Sequence, residues 1–364
     1  MIGDKTIFFQ PSFGNRPSRI VGRDSELSSV IAGLREPPGA RERCILILGQ
    51  RGMGKTAMLL EIAERAVSEG FIVARVTAHE EMPSAIIDQF QLNGSRFFAE
   101  ERKLTGINAG AFGFSFGLDL SEPSVKQYGF RAKMSLMCDR LEEKGKGALI
   151  IIDEAHSSSA MREVAASYQE LVGDGRNIAI TMAGLPQAVS SILNDEVLTF
   201  LNRAEKIDLG AISVSSVEAY FDYAFSSMGI KYTDKIINEA AEKTQGFPYL
   251  MQLMGYYLTR FSEPSGTINE NVLKKAEESS RRDLEDNVFK PIMAPLSDND
   301  RLFLRAMAAL GDAVSIDRLK EELGAKASSV QTYRKRMLEA GIIEAPRRGE
   351  LVFAIPHLRE YLAG

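Results

Sequence analysis

The chain is poor in the residues that announce a metal centre or a disulfide framework. Of its 364 residues two are cysteine, Cys44 and Cys138, and three are histidine, at 79, 156 and 357. Both cysteines stand in apolar patterns, which predicts buried thiols in a reducing compartment and excludes a disulfide scaffold. The histidines are too scattered for a histidine-based metal cluster. No apolar run approaches the roughly 20 residues needed to cross a bilayer. Ile7-Phe8-Phe9 is too short for a secretory h-region, and Pro11 follows it. A large positive charge is also missing: the net charge is −5, so any nucleic-acid contact has to be local. These absences, with 45% hydrophobic and 26% charged residues, predict a soluble cytoplasmic protein of two or three domains with no membrane contact.

What the sequence does contain is concentrated first in Cys44–Thr56. Cys44–Leu48 (CILIL) is a short apolar run, expected as a strand buried on both faces. Gly49–Thr56 fits G-x-x-x-x-G-K-[ST], and from Ala57 to Val67 apolar residues recur at helical spacing. Strand, glycine loop and helix are the context of a phosphate-binding loop. Gly49, Gly52 and Gly54 let successive backbone N–H groups face one anion, and the helix start at Thr56 and Ala57 adds a partial positive charge. Lys55 is expected to reach the β- and γ-phosphates of ATP, and Thr56 to offer its hydroxyl to Mg²⁺.

Along the chain, Met1–Ser18 is expected as an extended arm. Ile20-Val21-Gly22-Arg23 leads into a helix lined by Leu27, Val30, Ile31 and Leu34. Phe71–Thr77 reads as a second strand and Pro83–Phe98 as a helix. Phe112, Phe114, Phe116, Leu118 and Leu120 alternate with Gly, Ser and Asp, so a hairpin is expected near 106–120; it reads either as a partner- or DNA-contacting ribbon or as a surface hairpin. After the helix Tyr128–Lys144, Ala148–Ile152 is a second wholly apolar strand ending in Asp153-Glu154, the Walker B form. Such a strand carries Asp153 to the sheet edge where ligands bind. Asp153 is expected to hold Mg²⁺, and Glu154 to polarise the attacking water. Asn177–Met182 is a fourth strand, in which Thr181 is either a sensor of the γ-phosphate or a buried hydroxyl satisfied by the backbone. Lys206–Leu209 is a fifth.

From Ser213 the strands stop and four helices follow, over 217–227, 234–244, 248–261 and 269–282. Pro291, Pro295 and Ser297-Asp298 mark a linker. Three helices (Asp300–Leu310, Ile316–Leu323, Ala327–Ala340) and two strands (Ile342–Ala345, Leu351–Ile355) around Arg347-Arg348-Gly349 then make a winged helix-turn-helix. On Ala327–Ala340, Val330, Tyr333, Met337 and Leu338 lie at core spacing. Ser328, Gln331, Thr332 and Lys335 fall on the open face, with Arg334 and Arg336 at its margins. With Arg347 and Arg348 at the wing tip, these are the candidate contacts to double-stranded DNA.

Val21-Gly22-Arg23, Gly49–Thr56, Ile150–Glu154, Arg203, the helical stretch and the terminal winged helix together resemble the origin-recognition and STAND branches of AAA+-type ATPases, and the archaeal-type ATPases with a Gly-x-Pro lid motif. The resemblance covers roughly residues 18–360. It implies an α/β fold: a five-stranded parallel P-loop NTPase (ASCE/AAA+-like) sheet with the P-loop strand central, a helical lid, and a winged helix-turn-helix domain. The implied domains are an arm over 1–18, an ATPase core over 19–211, a lid over 212–290 and the winged helix over 296–364. It also implies that Val21 and Arg23 contact adenine, that Pro248 opens a nucleotide-facing lid helix, and that Arg203 stands where related ATPases carry an arginine finger; a solvated surface arginine is the other reading of Arg203. One departure concerns the lid. Gly246-Phe247-Pro248-Tyr249-Leu250 has no arginine before Arg260, where many members carry a sensor. That favours the STAND or archaeal-type branch.

Two functions follow from the resemblance. One is a Mg²⁺-dependent ATPase switch that binds DNA through its winged helix. The other is a signalling ATPase whose winged helix packs on the lid and binds protein. A phosphotransferase is disfavoured by the Asp-Glu pair and the appended domains. Assembly with a second copy or another protein is left open.

Overall fold

The computed structural model describes residues 8–11, 18–105, 128–262, 265–324 and 326–364. The hairpin expected near 106–120 lies outside them. The chain divides into two compact units, one of residues 24–49 and 55–209, the other of 1–23, 50–54 and 210–364.

The first unit is a five-stranded parallel sheet wrapped by helices. Its elements are α1 (Asp24–Gly33), β1 (Cys44–Leu48), α2 (Lys55–Ser68), β2 (Phe71–Thr77), α3 (Met82–Thr105), α4 (Phe130–Glu142), β3 (Gly147–Asp153), α5 (Ser159–Gly173), β4 (Ile178–Gly184), α6 (Pro186–Leu193) and β5 (Glu205–Asp208). The strand order is β2-β3-β4-β1-β5. The P-loop strand β1 is therefore interior, but β4 takes the middle place assigned to it by resemblance, and separates it from β3. Parallel strands covered on both faces read as nearly unbroken apolar runs, which is why β1, β3 and β4 were so legible. Leu46, Ile150 and Ile180 share one core with Phe90 of α3, Met134 of α4 and Val164 of α5. Cys44 and Cys138 are buried thiols, and desolvation pushes each up to about 12. Thiols held protonated in this way are poor nucleophiles.

The second unit begins as a helical bundle: α7 (Val214–Ser227), α8 (Asp234–Lys243), α9 (Pro248–Ser262) and α10 (Glu270–Leu284). Helices α7, α8 and α10 start on Ser213, Thr233 and Asn269, whose side chains accept from the backbone N–H groups of Ser216, Ile236 and Val272. Each cap satisfies a donor that the helix start would otherwise leave unpaired. Within the expected arm, the described residues 8 and 9 are packed. Phe8 and Phe9 are buried in the core of this bundle, and the Phe9 ring lies 5.6, 5.8 and 5.5 Å from those of Tyr220, Phe221 and Phe225. At the expected linker, α10 continues through a π-helical turn, Glu285–Phe289, into α11 (Lys290–Met293), and the chain leaves the helix over 294–297. Pro291, which has no N–H to give to the preceding turn, stands just after the π-helical segment.

Beyond Ser297, which forms a capping box with Asp300, come α12 (Asp298–Leu310), β6 (Ala313–Ser315), α13 (Ile316–Leu323), α14 (Ala327–Glu339), β7 (Ile343–Glu344), β8 (Glu350–Phe353) and α15 (Leu358–Ala363). The short strands form a sheet in the order β6-β8-β7, giving a winged-helix arrangement. Strand β6 and helix α15 escaped the sequence reading because three and six residues are too few to show a period.

Gly246 fixes the turn into α9. Its φ is +67°, and a Cβ there would stand 2.0 Å from the Ile212 carbonyl oxygen, a backbone atom that cannot swing aside. Gly246→Ala is expected to destabilise the unit by at least about 2 kcal/mol, combining left-handed strain with overpacking. Chemical denaturation followed by far-ultraviolet circular dichroism checks this; an unchanged midpoint would show that the turn can relax.

Candidate nucleotide site and winged-helix face

In the sheet unit the predicted phosphate and metal residues converge at the C-terminal edge of the strands. Lys55 opens α2 and is 7% exposed; its Nζ donates to the Gly49 carbonyl at 2.9 Å. Thr56 Oγ1 donates to Asp153 Oδ2 at 2.7 Å, so the two expected Mg²⁺ ligands are brought together although 97 residues separate them in sequence. A hydroxyl beside a carboxylate is a hard-oxygen donor pair of the kind Mg²⁺ takes alongside phosphate oxygens. Among the described residues no group of three or more His, Cys, Asp or Glu could hold a metal by itself.

Glu154 follows directly on β3 with φ +53°, a left-handed conformation that costs a residue with a Cβ about 1–2 kcal/mol. Two hydrogen bonds hold it there. Its N–H donates to Asp153 Oδ1 at 2.9 Å, and its carbonyl accepts from His156 Nδ1 at 2.9 Å. The carboxylate is thereby left exposed at the strand edge. Sparsely populated backbone held by surrounding contacts is a recurring feature of reactive sites.

Thr181 is not brought to that edge. It pairs level with Ile45 and Ile151 and is 1% exposed. Strand β4 runs on through Ala183 and Gly184, so the residue level with Asp153 is Ala183. The strand, expected to stop at Met182, thus continues, and Thr181 lies buried within it. Arg203 ends a 3-10 turn, Thr199–Arg203, just before β5. It is exposed, and among the described residues its side chain makes no ion pair or hydrogen bond. Ala57 lies half-buried in the first turn of α2.

The second unit holds the remaining loop residues, Gln50–Gly54. Gly52 has φ +78°, and a Cβ there would fall 2.3 Å from the fully buried Phe247 ring. Pro248 lies beside Gly54, with its Cγ 3.9 Å from where a Cβ would be. Val21 is buried in the helical core, and the 8% exposed Arg23 donates to the Gly210 carbonyl. Gln50, 7% exposed, donates from Nε2 to Glu344 Oε1 on β7 at 2.7 Å.

On α14, Val330 and Met337 are buried as expected, while Tyr333 and Leu338 are half-buried. Ser328, Gln331, Thr332 and Lys335 are exposed on its open face, as are Arg347 and Arg348 on the wing. Arg336 serves the fold instead: it pairs with the buried Asp300 at 2.6 Å and lies over the Tyr333 ring. Lys335 stands 3.8 Å from Glu339, an exposed pair too loosely held to prevent another contact.

Residues 19–179 match the AAA ATPase domain family, and residues 286–362 match a domain of unknown function, DUF8462. Among solved structures, the Walker-type ATPase of Pyrococcus abyssi is similar at a TM-score of 0.70 and 16% identity, over 98% of this chain and 99% of that one. The ORC2 protein of Aeropyrum pernix follows at a TM-score of 0.57 and 14% identity, over 97% and 96%. The fold is that of an AAA+ P-loop ATPase. An uncharacterized HTH-type transcriptional regulator of Methanocaldococcus jannaschii is 23% identical over 395 residues, spanning 97% of this chain and 92% of its own. The AAA+-like ATPase domain implies nucleotide binding. Among the described residues no helix is long and apolar enough to cross a membrane.

Sequence reasoning about this ATPase missed three residues. Gln50 and Phe247 lie inside motifs already singled out, but only as unspecified positions of the loop and the lid turn. Glu344 sits in a two-residue strand and had no signal beyond its charge.

Proposed function

We propose that the ATPase binds ATP with Mg²⁺ and hydrolyses it as a switch, and that it binds double-stranded DNA through its winged helix. The observation that carries the nucleotide half is the 2.7 Å hydrogen bond between Thr56 and Asp153, which joins the two motif ends expected to share one cation. Lys55 then faces the phosphates, Glu154 orients water, and Asp153 and Thr56 hold the metal, which when bound neutralises developing phosphate charge. Val21, Arg23, Gly49, Gly52, Gly54, Ala57 and Pro248 complete the proposed nucleotide surroundings. The proposed domains remain an arm over 1–18, the core over 19–211, the lid over 212–290 and the winged helix over 296–364.

The DNA half is supported by the exposed faces of α14 and the wing. Small polar side chains at Ser328, Gln331 and Thr332, with Lys335, suit a major-groove reader. Arg347 and Arg348 suit phosphate or minor-groove contacts. The relative from M. jannaschii, whose name describes an HTH-type regulator, points the same way. The Gln50–Glu344 contact favours a second reading, in which the winged helix packs within the molecule and binds protein.

Fluorescence anisotropy of a labelled duplex against the full chain, with ATP and with ADP over a salt series, separates the two. Lys335→Ala and Arg347→Ala are each expected to weaken binding and to flatten the slope of log K against log salt by about 0.9 per lost phosphate contact. ATP hydrolysis without DNA should persist in both. Absence of duplex binding in low salt would sink the DNA reading.

A further inference from the structure

The loop expected to wrap the phosphates is held from two sides inside the second unit. At Gly52 it packs against the Phe247 ring, a contact that only glycine permits. Next to Gly49, Gln50 is anchored by its side chain to the Glu344 carboxylate at 2.7 Å. Gln50 is 7% exposed and Glu344 half-buried, so water screens this carboxylate less than it would at an open surface. A polyanion seated on backbone N–H groups at 50–54 therefore brings negative charge toward a negative side chain. ATP brings more of it than ADP.

The Glu344 backbone is tied into the small sheet. It pairs with Val352 and its neighbour Ile343 with Phe353, while Ala354 N–H donates to the Ile342 carbonyl at 2.9 Å. A shift of the strand that carries Glu344 thus carries the small sheet with it, including the turn that holds Arg347 and Arg348.

We propose that Glu344 is a nucleotide-sensing positioning residue: it seats the wing on Gln50, and phosphates in the loop compete with that seating, so nucleotide charge controls where the wing lies. The proposal rests on the nucleotide-site reading above. By linkage, whatever the nucleotide does to wing seating, seating does to nucleotide affinity, with coupling typically about 5- to 150-fold.

The test uses the full chain and titration calorimetry with Mg-ATP and with Mg-ADP. Glu344→Gln keeps an oxygen to accept from Gln50 and removes only the charge; Glu344→Ala removes both. Each is expected to tighten ATP more than ADP, Ala by roughly tenfold and Gln by less. Hydrogen exchange over residues 342–353 supplies a second readout. ATP should alter it in the wild type and leave it unaltered in Glu344→Ala, where the seat is already lost. An unchanged ATP-to-ADP affinity ratio in both variants overturns the proposal, as does an ATP response of the wing that survives in Glu344→Ala. A wild type that binds neither nucleotide overturns the nucleotide-site reading itself, a distinct result.

Discussion

Glu154→Gln is expected to hold ATP while losing turnover by about 10²- to 10⁴-fold, the usual worth of a positioned general base. Glutamine fills the same volume and can adopt the same backbone, so the left-handed turn held by Asp153 and His156 should survive. Only the ability to polarise water is removed. Lys55→Ala should act at the other end of the reaction. It deletes a charge-assisted hydrogen bond to phosphate worth about 1.5–3 kcal/mol, or roughly 10- to 150-fold in affinity. The pair therefore dissociates binding from chemistry. Equilibrium binding of a fluorescent ATP analogue and steady-state phosphate release measure the two separately. Unchanged hydrolysis in both variants would end the ATPase reading of this site.

Removal of Arg203 is expected to cost still more in rate. Arginine fingers that reach the γ-phosphate in the transition state are worth about 10³- to 10⁵-fold. Arg203 is exposed at the end of its 3-10 turn and supports no other side chain among the described residues, so Arg203→Ala should change stability by no more than about 0.5 kcal/mol. A fall in rate is then not a folding effect, and ATP affinity should change far less than turnover. If the finger acts on a second copy, activity per chain rises with protein concentration in the wild type, and Arg203→Ala mixed with Lys55→Ala recovers activity. Normal turnover of Arg203→Ala at every concentration returns the residue to the solvated surface.

Much of this molecule was readable in the chain because its strands are buried on both faces and its loop chemistry is local. Cys44–Leu48 and Ala148–Ile152 announce themselves as continuous apolar runs. Gly49–Thr56 and Asp153-Glu154 carry their chemistry within a few residues, so no tertiary information was needed to name them. The longer helices of the second unit were equally legible from their spacing, while the short α11 and α15 were not. Strand order was not, because pairing between parallel strands depends on crossovers that leave no local mark. That β4 separates β1 from β3 emerged only in the assembled sheet. The end of β4 was misplaced for a related reason: a strand expected to stop at Met182 is extended by tertiary pairing through Ala183 and Gly184.

By itself, then, the sequence determined the phosphate loop, the acidic pair after β3, the helical stretch and the winged-helix pattern, since each rests on periodicity or on chemistry within one segment. Tertiary structure alone decided that Thr56 meets Asp153, that Phe9 belongs to a core, that Arg336 is spent on Asp300 and that Glu344 holds Gln50. Those contacts join residues far apart in the chain, and their energies arise from burial and geometry that no short window of sequence contains.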